Sequence, residues 1–177
     1  MINQQQQPGA GPTVQPSTAN VKHDFDTYVS KATVLIHSPE TTGAIQNMLT
    51  GRDPVSKVAA ATVMIMQRLD SAARAAQVEV QDTVKVFGAV DIVNMVAELG
   101  EAAGKFPKFP QKLIELALSV SVQDYVKAEI SAGRINGQKL QAQMQADMAK
   151  VPAKERQEIQ AAQVRILQTA KQYNGGR

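Results

Sequence analysis

The residues of this chain that could carry out chemistry are few, and their spacing matches no metal or nucleophile motif. The two histidines, His23 and His37, form neither a His-x-x-x-His nor a His-x-x-Glu-His pair, the spacings that bring zinc ligands to one helix face. The sequence has no cysteine, which excludes a disulfide, a thiolate metal site and a cysteine nucleophile. We therefore expect both histidines to lie at the surface or beside a helix cap.

Paired carboxylates are the next candidates for chemistry. Glu98 and Glu101 lie three positions apart on one predicted helix face, and such pairs can serve acid–base or di-metal reactions. A di-metal site also needs a Glu-x-x-His pair from neighbouring helices, and the sequence contains none. We interpret these two glutamates as the polar edge of their helix. Asp24 and Asp26 are interpreted as acidic residues that favour the positive end of a helix dipole.

Glycine and serine motifs are also missing. The sequence contains no Gly-x-Gly-x-x-Gly or Gly-x-x-x-x-Gly-Lys-Ser/Thr phosphate loop and no Gly-x-Ser-x-Gly nucleophile elbow. Gly100 and Gly104 have the spacing that lets membrane helices approach closely, but a proline-broken helix end follows them at once. The sequence therefore predicts a protein that is not an enzyme and needs no cofactor or metal.

Composition indicates a core without large aromatic side chains. Aromatic residues make up 4% of the chain and tryptophan is absent, so the core must consist of Val, Ile, Leu, Met and Ala. Such side chains specify packing less sharply, and we expect a marginally stable monomer that partner chains stabilise further. The net charge of +3 is spread along the chain. Nucleic-acid binders usually carry a basic stripe with stacking aromatics, so DNA contact is expected to be at most non-specific.

The spacing of apolar residues predicts helices throughout the ordered part of the chain. A first helix is expected from Asp24. Ser38-Pro39 and Asp53-Pro54 each predict an N-cap followed by proline in the first helical position, and Gly51 is expected to end the helix between them. Residues 77–81 alternate in the strand period, but five residues are too few, and we expect a connector or a helix continuation.

A central helix from Asp82 to about Ala103 is apolar on most of its sides. A helix of this kind is buried or lies at an interface. We expect its own chain to be unable to cover it, so that another copy or another subunit does. The predicted interface comprises Val84, Phe87, Val90, Ile92, Val93, Met95, Val96, Leu99, Phe106 and Phe109.

The last two of these residues belong to a duplicated Lys-Phe-Pro sequence at 105–110. Each proline favours extended geometry in the residue before it. One interpretation is a stiff linker whose phenylalanines fill the core. The other is a loop that contacts a partner or a membrane surface.

Both ends of the chain differ from its middle. Residues 1–20 carry no charged side chain and are rich in Gln, Pro and Gly, which predicts a disordered tail. Residues 21–132 form the predicted helical core domain, and residues 133–177 form a Gln/Ala-rich helical extension with a break at Pro152. The extension carries a thin apolar stripe of Ile159, Ala162, Ile166, Ala170 and Tyr173. The expected fold is an all-α multi-helix bundle with this tail and this extension.

No targeting or spanning segment is expected. The start Met1-Ile2-Asn3-Gln4 lacks the basic and apolar regions of a signal peptide. The longest apolar run, Val58 to Met66, is nine residues, whereas a spanning helix needs roughly 20.

This layout resembles the small virion-associated proteins of tailed bacteriophages. The likeness rests on the Gln/Pro/Gly-rich tail, the Ala/Gln/Met-rich helices, the missing cysteine and the segments 38–42, 51–55 and 68–73. The resemblance implies an internal protein that is ejected with the genome to build a conduit through the cell envelope. Its implied location is the virion, and the host envelope after ejection. The resemblance carries over no functional residue.

Three functions are consistent with these features. The first is a virion structural protein that oligomerises into a ring or tube for genome delivery, with other copies of itself and other virion proteins as partners. The second is a membrane-active, holin-like or pore-forming protein whose amphipathic helices contact the host membrane. The third is a cytoplasmic helical scaffold or regulator.

Overall fold

Six α-helices account for most of the chain that the computed structural model describes, namely residues 18–158 together with 161, 164, 165 and 168. The helices are α1 Thr18–Ile36, α2 Pro39–Met48, α3 Pro54–Ala75, α4 Asp82–Ala102, α5 Gln111–Ser131 and α6 Gly137–Lys150. Across these residues no strand occurs, and residues 78–81 form an irregular connector. The helix is broken at Val151-Pro152 and resumes over residues 153–158. The all-α, multi-helix architecture that the spacing predicted is confirmed.

The best predicted boundaries are the two helix N-termini that begin with proline. Asp53 is the N-cap of α3, and its Oδ1 accepts a hydrogen bond from the Ser56 backbone N–H at 3.3 Å. Ser38 precedes α2 with extended backbone angles, but its hydroxyl donates to the Leu35 carbonyl oxygen instead of capping α2. Gly51 adopts a φ of 113°, which few residues other than glycine tolerate, in the turn after α2.

The predicted start of the first helix is wrong. Helix α1 begins at Thr18, so the last three residues of the predicted disordered tail are helical, while residues 1–17 lie outside the described residues. Asp24 and Asp26 consequently lie beyond the first turn, where the helix dipole no longer favours them. Thr18-Ala19-Asn20 continues the helix because none of these residues breaks it, and composition alone did not show where the tail ends.

The core lies among the first five helices. The principal contacts join α3 to α5, α1 to α4, α3 to α4 and α4 to α5. The largest side chains with almost no exposed area are Ile36, Ile45, Leu49, Ile65, Met66 and Ile92. Helix α4 therefore occupies the centre, and the chain covers it from several sides.

Two glycines of α4 allow aromatic rings to approach the helix closely. A Cβ placed on Gly88 would lie 2.6 Å from Cδ1 of Tyr28, and a Cβ on Gly100 would lie 2.2 Å from Cζ of Phe106. Tyr28 comes from α1, so Gly88 sets the distance between α1 and α4. Phe106 comes from the loop after α4 and covers the end of that helix.

The Lys-Phe-Pro loop fills the core. Phe109, Tyr28 and Tyr125 are all buried there, so the expectation of a core built only from Val, Ile, Leu, Met and Ala is wrong. Phe109 is buried, Phe106 is half-buried, and their ring centroids are 5.1 Å apart. The Phe109 N–H donates to Oε1 of Glu101, which fixes the loop against the end of α4. Glu101 therefore holds the loop by a hydrogen bond as well as forming part of the polar edge of α4. Glu98 is exposed, as expected.

Gly88→Ala is expected to destabilise the protein by about 1–3 kcal/mol, because the added methyl group overpacks the contact with Tyr28. Gly43→Ala is the matched control, since Gly43 lies inside α2 and a Cβ placed on it would have no neighbouring atom within 4 Å. That control should gain up to about 1 kcal/mol from helix propensity. Urea denaturation followed by circular dichroism measures both. Equal effects of the two substitutions would contradict the close approach of α1 to α4.

Candidate functional site: an apolar strip on helix α4

Most of the predicted interface lies inside the molecule. Val84, Ile92, Val93, Val96 and Phe109 are buried in the core. Met95, Leu99 and Phe106 are partly buried against it. The expectation that α4 could not be covered by its own chain is wrong for most of the helix, because α1, α3 and α5 all pack against it.

Two of the predicted interface residues, Phe87 and Val90, remain exposed and lie next to a third apolar side chain. Phe87 is 64% exposed, Val86 is 49% exposed and Val90 is 39% exposed. Residues three and four positions apart are neighbours on a helix, so these three side chains form one patch, which we call the Phe87 strip. A phenylalanine exposed to this extent beside two valines is an uncovered apolar surface of the kind that marks interaction sites.

A hollow adjoins the Phe87 strip, between α4 and the first turns of α1. It has a volume of about 480 Å³ and is lined by Val21, Lys22, Phe25, Val84, Phe87, Val90 and Asp91. Its two charged side chains carry opposite signs, Lys22 on α1 and Asp91 on α4. Neither forms an ion pair within the described part of the chain. The hollow can accept an apolar side chain, and it offers one cation and one anion to whatever surrounds that side chain.

A buried polar cluster connects α4, which carries the Phe87 strip, to α3 and α5. Asp70 on α3 is 2% exposed, and its Oδ2 accepts a hydrogen bond from the Tyr125 hydroxyl on α5. The Lys85 ammonium on α4 lies 3.5 Å from the same oxygen and 3.5 Å from Oδ1 of Asp82. One carboxylate therefore joins three helices. Tyr28 is also buried, and neither its hydroxyl nor Asp70 Oδ1 has a hydrogen-bond partner among the described residues.

A second buried carboxylate fixes the end of α5. Glu129 is 3% exposed, and the guanidinium group of Arg134 donates to both of its oxygens at 2.7 Å. Arg74 on α3 lies 3.9 Å away. The hydrogen bond from Arg134 is the main reason that the pKa of Glu129 lies below its usual value. Burial raises the pKa of both Tyr28 and Tyr125 above 10.0, and the Asp70 carboxylate raises both further.

The polar cluster is a structural feature and not an open reaction site, because its carboxylates are almost fully buried. No group of three or more His, Asp or Glu side chains is placed to hold a metal ion in the described part of the structure. His23 and His37 are both exposed, as predicted. Over the same residues, none of the helices combines the length and the apolar character needed to cross a membrane.

Comparison with known proteins assigns no family. No protein-family model matches the chain, and neither the curated proteins nor the solved structures contain a match.

Sequence reasoning missed part of this site. The predicted interface omits Val86, and it also omits Val21, Lys22, Phe25 and Asp91. The adjacent apolar pair Val86-Phe87 was not a sufficient signal, because Ile92-Val93 is a similar pair on the same helix and both of its residues are buried. The contribution of α1 depends on which helix packs beside α4, and the sequence does not show this.

Proposed function

We propose that this protein is a structural assembly protein whose copies associate through the Phe87 strip. The carrying observation is a phenylalanine that is 64% exposed at the centre of an apolar strip, beside a hollow that can receive an aromatic ring. Complete burial of an aromatic side chain removes roughly 150–250 Å² of surface from water, and about two thirds of that area is still exposed on Phe87. Among the described residues, no group of three or more His, Asp or Glu side chains that could hold a metal ion competes with this explanation.

The partner that this surface fits best is a second copy of the chain. In a two-fold arrangement each surface meets itself, so the Phe87 ring of one copy can enter the hollow of the other. Lys22 and Asp91 flank that hollow with opposite charges. The same symmetry brings Lys22 of each copy toward Asp91 of its partner. Because this surface carries charges of both signs, a second copy complements it better than a partner that is uniformly acidic or basic.

The specific role that we propose is an internal or ejected component of a tailed-phage virion, assembling into a genome-delivery tube or ring. This role is supported by the resemblance of the sequence to such proteins, by the absence of cysteine and by the exposed apolar strip on an all-helical body. Mass spectrometry of purified particles of the encoding phage tests it. Many copies in each particle are expected, and recovery from the host cell alone would reject it.

Phe87→Glu is expected to weaken self-association by at least about 2 kcal/mol, or roughly 30-fold in the dissociation constant. The reason is that a carboxylate would replace the ring that enters the partner's hollow. Folding of the monomer should change little, because Phe87 is already mostly exposed. Analytical ultracentrifugation over a range of concentrations measures the effect. Lys112→Glu, at an exposed position of α5, is the control for a surface charge change.

A charge exchange between the copies tests the two-fold arrangement. Lys22→Glu and Asp91→Lys should each weaken association, and the double variant should restore it, because the charges again oppose one another. A wild-type chain that stays monomeric at every concentration would reject the proposal. Vesicle co-sedimentation that is lost in Phe87→Glu would instead assign the strip to a lipid surface.

A further inference from the structure

A second apolar groove lies between α1 and the end of α3. Its volume is about 500 Å³, and its lining includes Leu35, Leu69, Ala72, Ala73 and Val80. Val34, 71% exposed, and Val78, 51% exposed, stand at its edges. None of these residues belongs to the Phe87 strip. We call this feature the α1–α3 groove.

The length of the groove fits a helix. Its lining extends along α1 from Asp24 to Ser38, which corresponds to about 21 Å at the rise of an α-helix. Ala72 and Ala73 on α3 are small, so another helix can approach closely. A long, open groove with an apolar floor is the form in which proteins bind the apolar face of an amphipathic helix.

The sequence of the C-terminal part carries an apolar stripe of matching length. Ile159, Ala162, Ile166, Ala170 and Tyr173 recur at helical spacing, and these residues lie outside the described residues. From 159 to 173 a helix would extend about 21 Å, the same distance as the groove. Residues 153–158 are helical, and Val164 is 50% exposed. Among the described residues, the principal helix contacts all join helices α1–α5.

We propose that residues 153–173 of one copy bind in the α1–α3 groove of a neighbouring copy. Charges of both signs edge the groove, on Asp24, Lys31, Arg68 and Glu79. Charges of both signs also precede the apolar stripe, on Lys154, Glu155, Arg156 and Glu158. The apolar contact supplies the attraction, and ion pairs along the edges set the register of the bound helix.

This contact would differ in kind from the Phe87 contact. A groove on one copy that binds the extension of the next is a heterologous interface, which generates rings or filaments. The two-fold Phe87 contact alone ends at a dimer. This inference rests on the proposed function only in requiring that copies of the chain associate. The groove contact would supply the repeating interface that a tube or ring needs.

The missing cysteines make a direct test available. Full-length Val34→Cys protein is labelled with ¹⁵N, mixed with unlabelled Gln163→Cys protein, and oxidised. At helical spacing Gln163 falls beside the apolar stripe, so in the bound helix it would lie at the edge of the groove, where the exposed Val34 stands. Mass spectrometry identifies the mixed disulfide dimer. Its formation should be at least about tenfold faster than with Glu115→Cys, an exposed control position on α5, because binding raises the effective concentration of the thiols.

Two further variants separate this proposal from the Phe87 strip. Cross-linking of Val34→Cys to Gln163→Cys should persist when Phe87→Glu is added to both chains. With Val78→Cys as the reporter, adding Val34→Glu should slow cross-linking to Gln163→Cys by about tenfold, since it places a charge at the apolar edge of the groove. A rate equal to the Glu115→Cys control would overturn the proposal. So would a disulfide that forms only within a single chain carrying both cysteines.

Discussion

Asp70→Ala is expected to lower the free energy of unfolding by about 3 kcal/mol, the largest effect of any single substitution considered for this protein. The Asp70 carboxylate accepts from Tyr125 and lies 3.5 Å from the Lys85 ammonium. Without it, the Tyr125 hydroxyl is buried with no acceptor, and Lys85 keeps only Asp82, whose side chain is 87% exposed. Typical domains have total stabilities of roughly 5–15 kcal/mol, so this loss would be a substantial fraction.

Two tyrosine variants show whether the loss comes from the hydrogen bond. Tyr125→Phe removes the donor to Asp70 and should cost about 1–2 kcal/mol. Tyr28→Phe removes a buried hydroxyl that has no partner among the described residues, so it should be neutral or slightly stabilising. Urea denaturation at a concentration where the protein is monomeric measures all three variants. The described contacts of Asp70 would be contradicted if Asp70→Ala lowered the free energy of unfolding by less than about 1 kcal/mol, or if the two tyrosine variants had equal effects.

The helical class and several boundaries could be predicted because they depend on neighbours in the sequence. Apolar spacing and the two cap-plus-proline pairs act within one turn, so α2 and α3 begin at Pro39 and Pro54 as expected. The coverage of α4 could not be predicted in this way. Its apolar character was evident, but the number of helices packed around it depends on how the chain folds back, and only Phe87 and Val90 of the predicted interface are exposed.

The polar cluster shows the same limit. Asp70 follows Met66 by four positions, so it lies on the buried face of α3, and a carboxylate on such a face indicates a buried polar contact. Its partner Tyr125 is 55 positions away on another helix. No local pattern identifies such a partner. Buried polar residues can therefore be suspected from a stripe, but their contacts follow only from the packing.

The same tyrosines are expected to make the protein sensitive to alkali. Burial raises the pKa of Tyr28 and of Tyr125 above 10.0, and the Asp70 carboxylate adds to both shifts. A phenol with a raised pKa in the folded state binds its proton more tightly there than in the unfolded chain. Its contribution to stability is complete below pH 10.0 and is lost as the pH rises toward the folded value. Each tyrosine should contribute a slope of up to about 1.4 kcal/mol per pH unit in that range.

Urea denaturation in steps from about pH 9 to pH 11 measures this slope. Lysine side chains titrate in the same range, so the variant carrying both Tyr28→Phe and Tyr125→Phe supplies the background. The wild type should lose stability with pH more steeply than this double variant. Each single tyrosine variant should remove about half of that difference in slope. Tyrosinate absorbance gives an independent reading, because the two buried phenols should ionise only as the chain unfolds. If wild type and double variant lose stability in parallel, the phenols are not protected in the folded protein, and their burial against Asp70 is disproved.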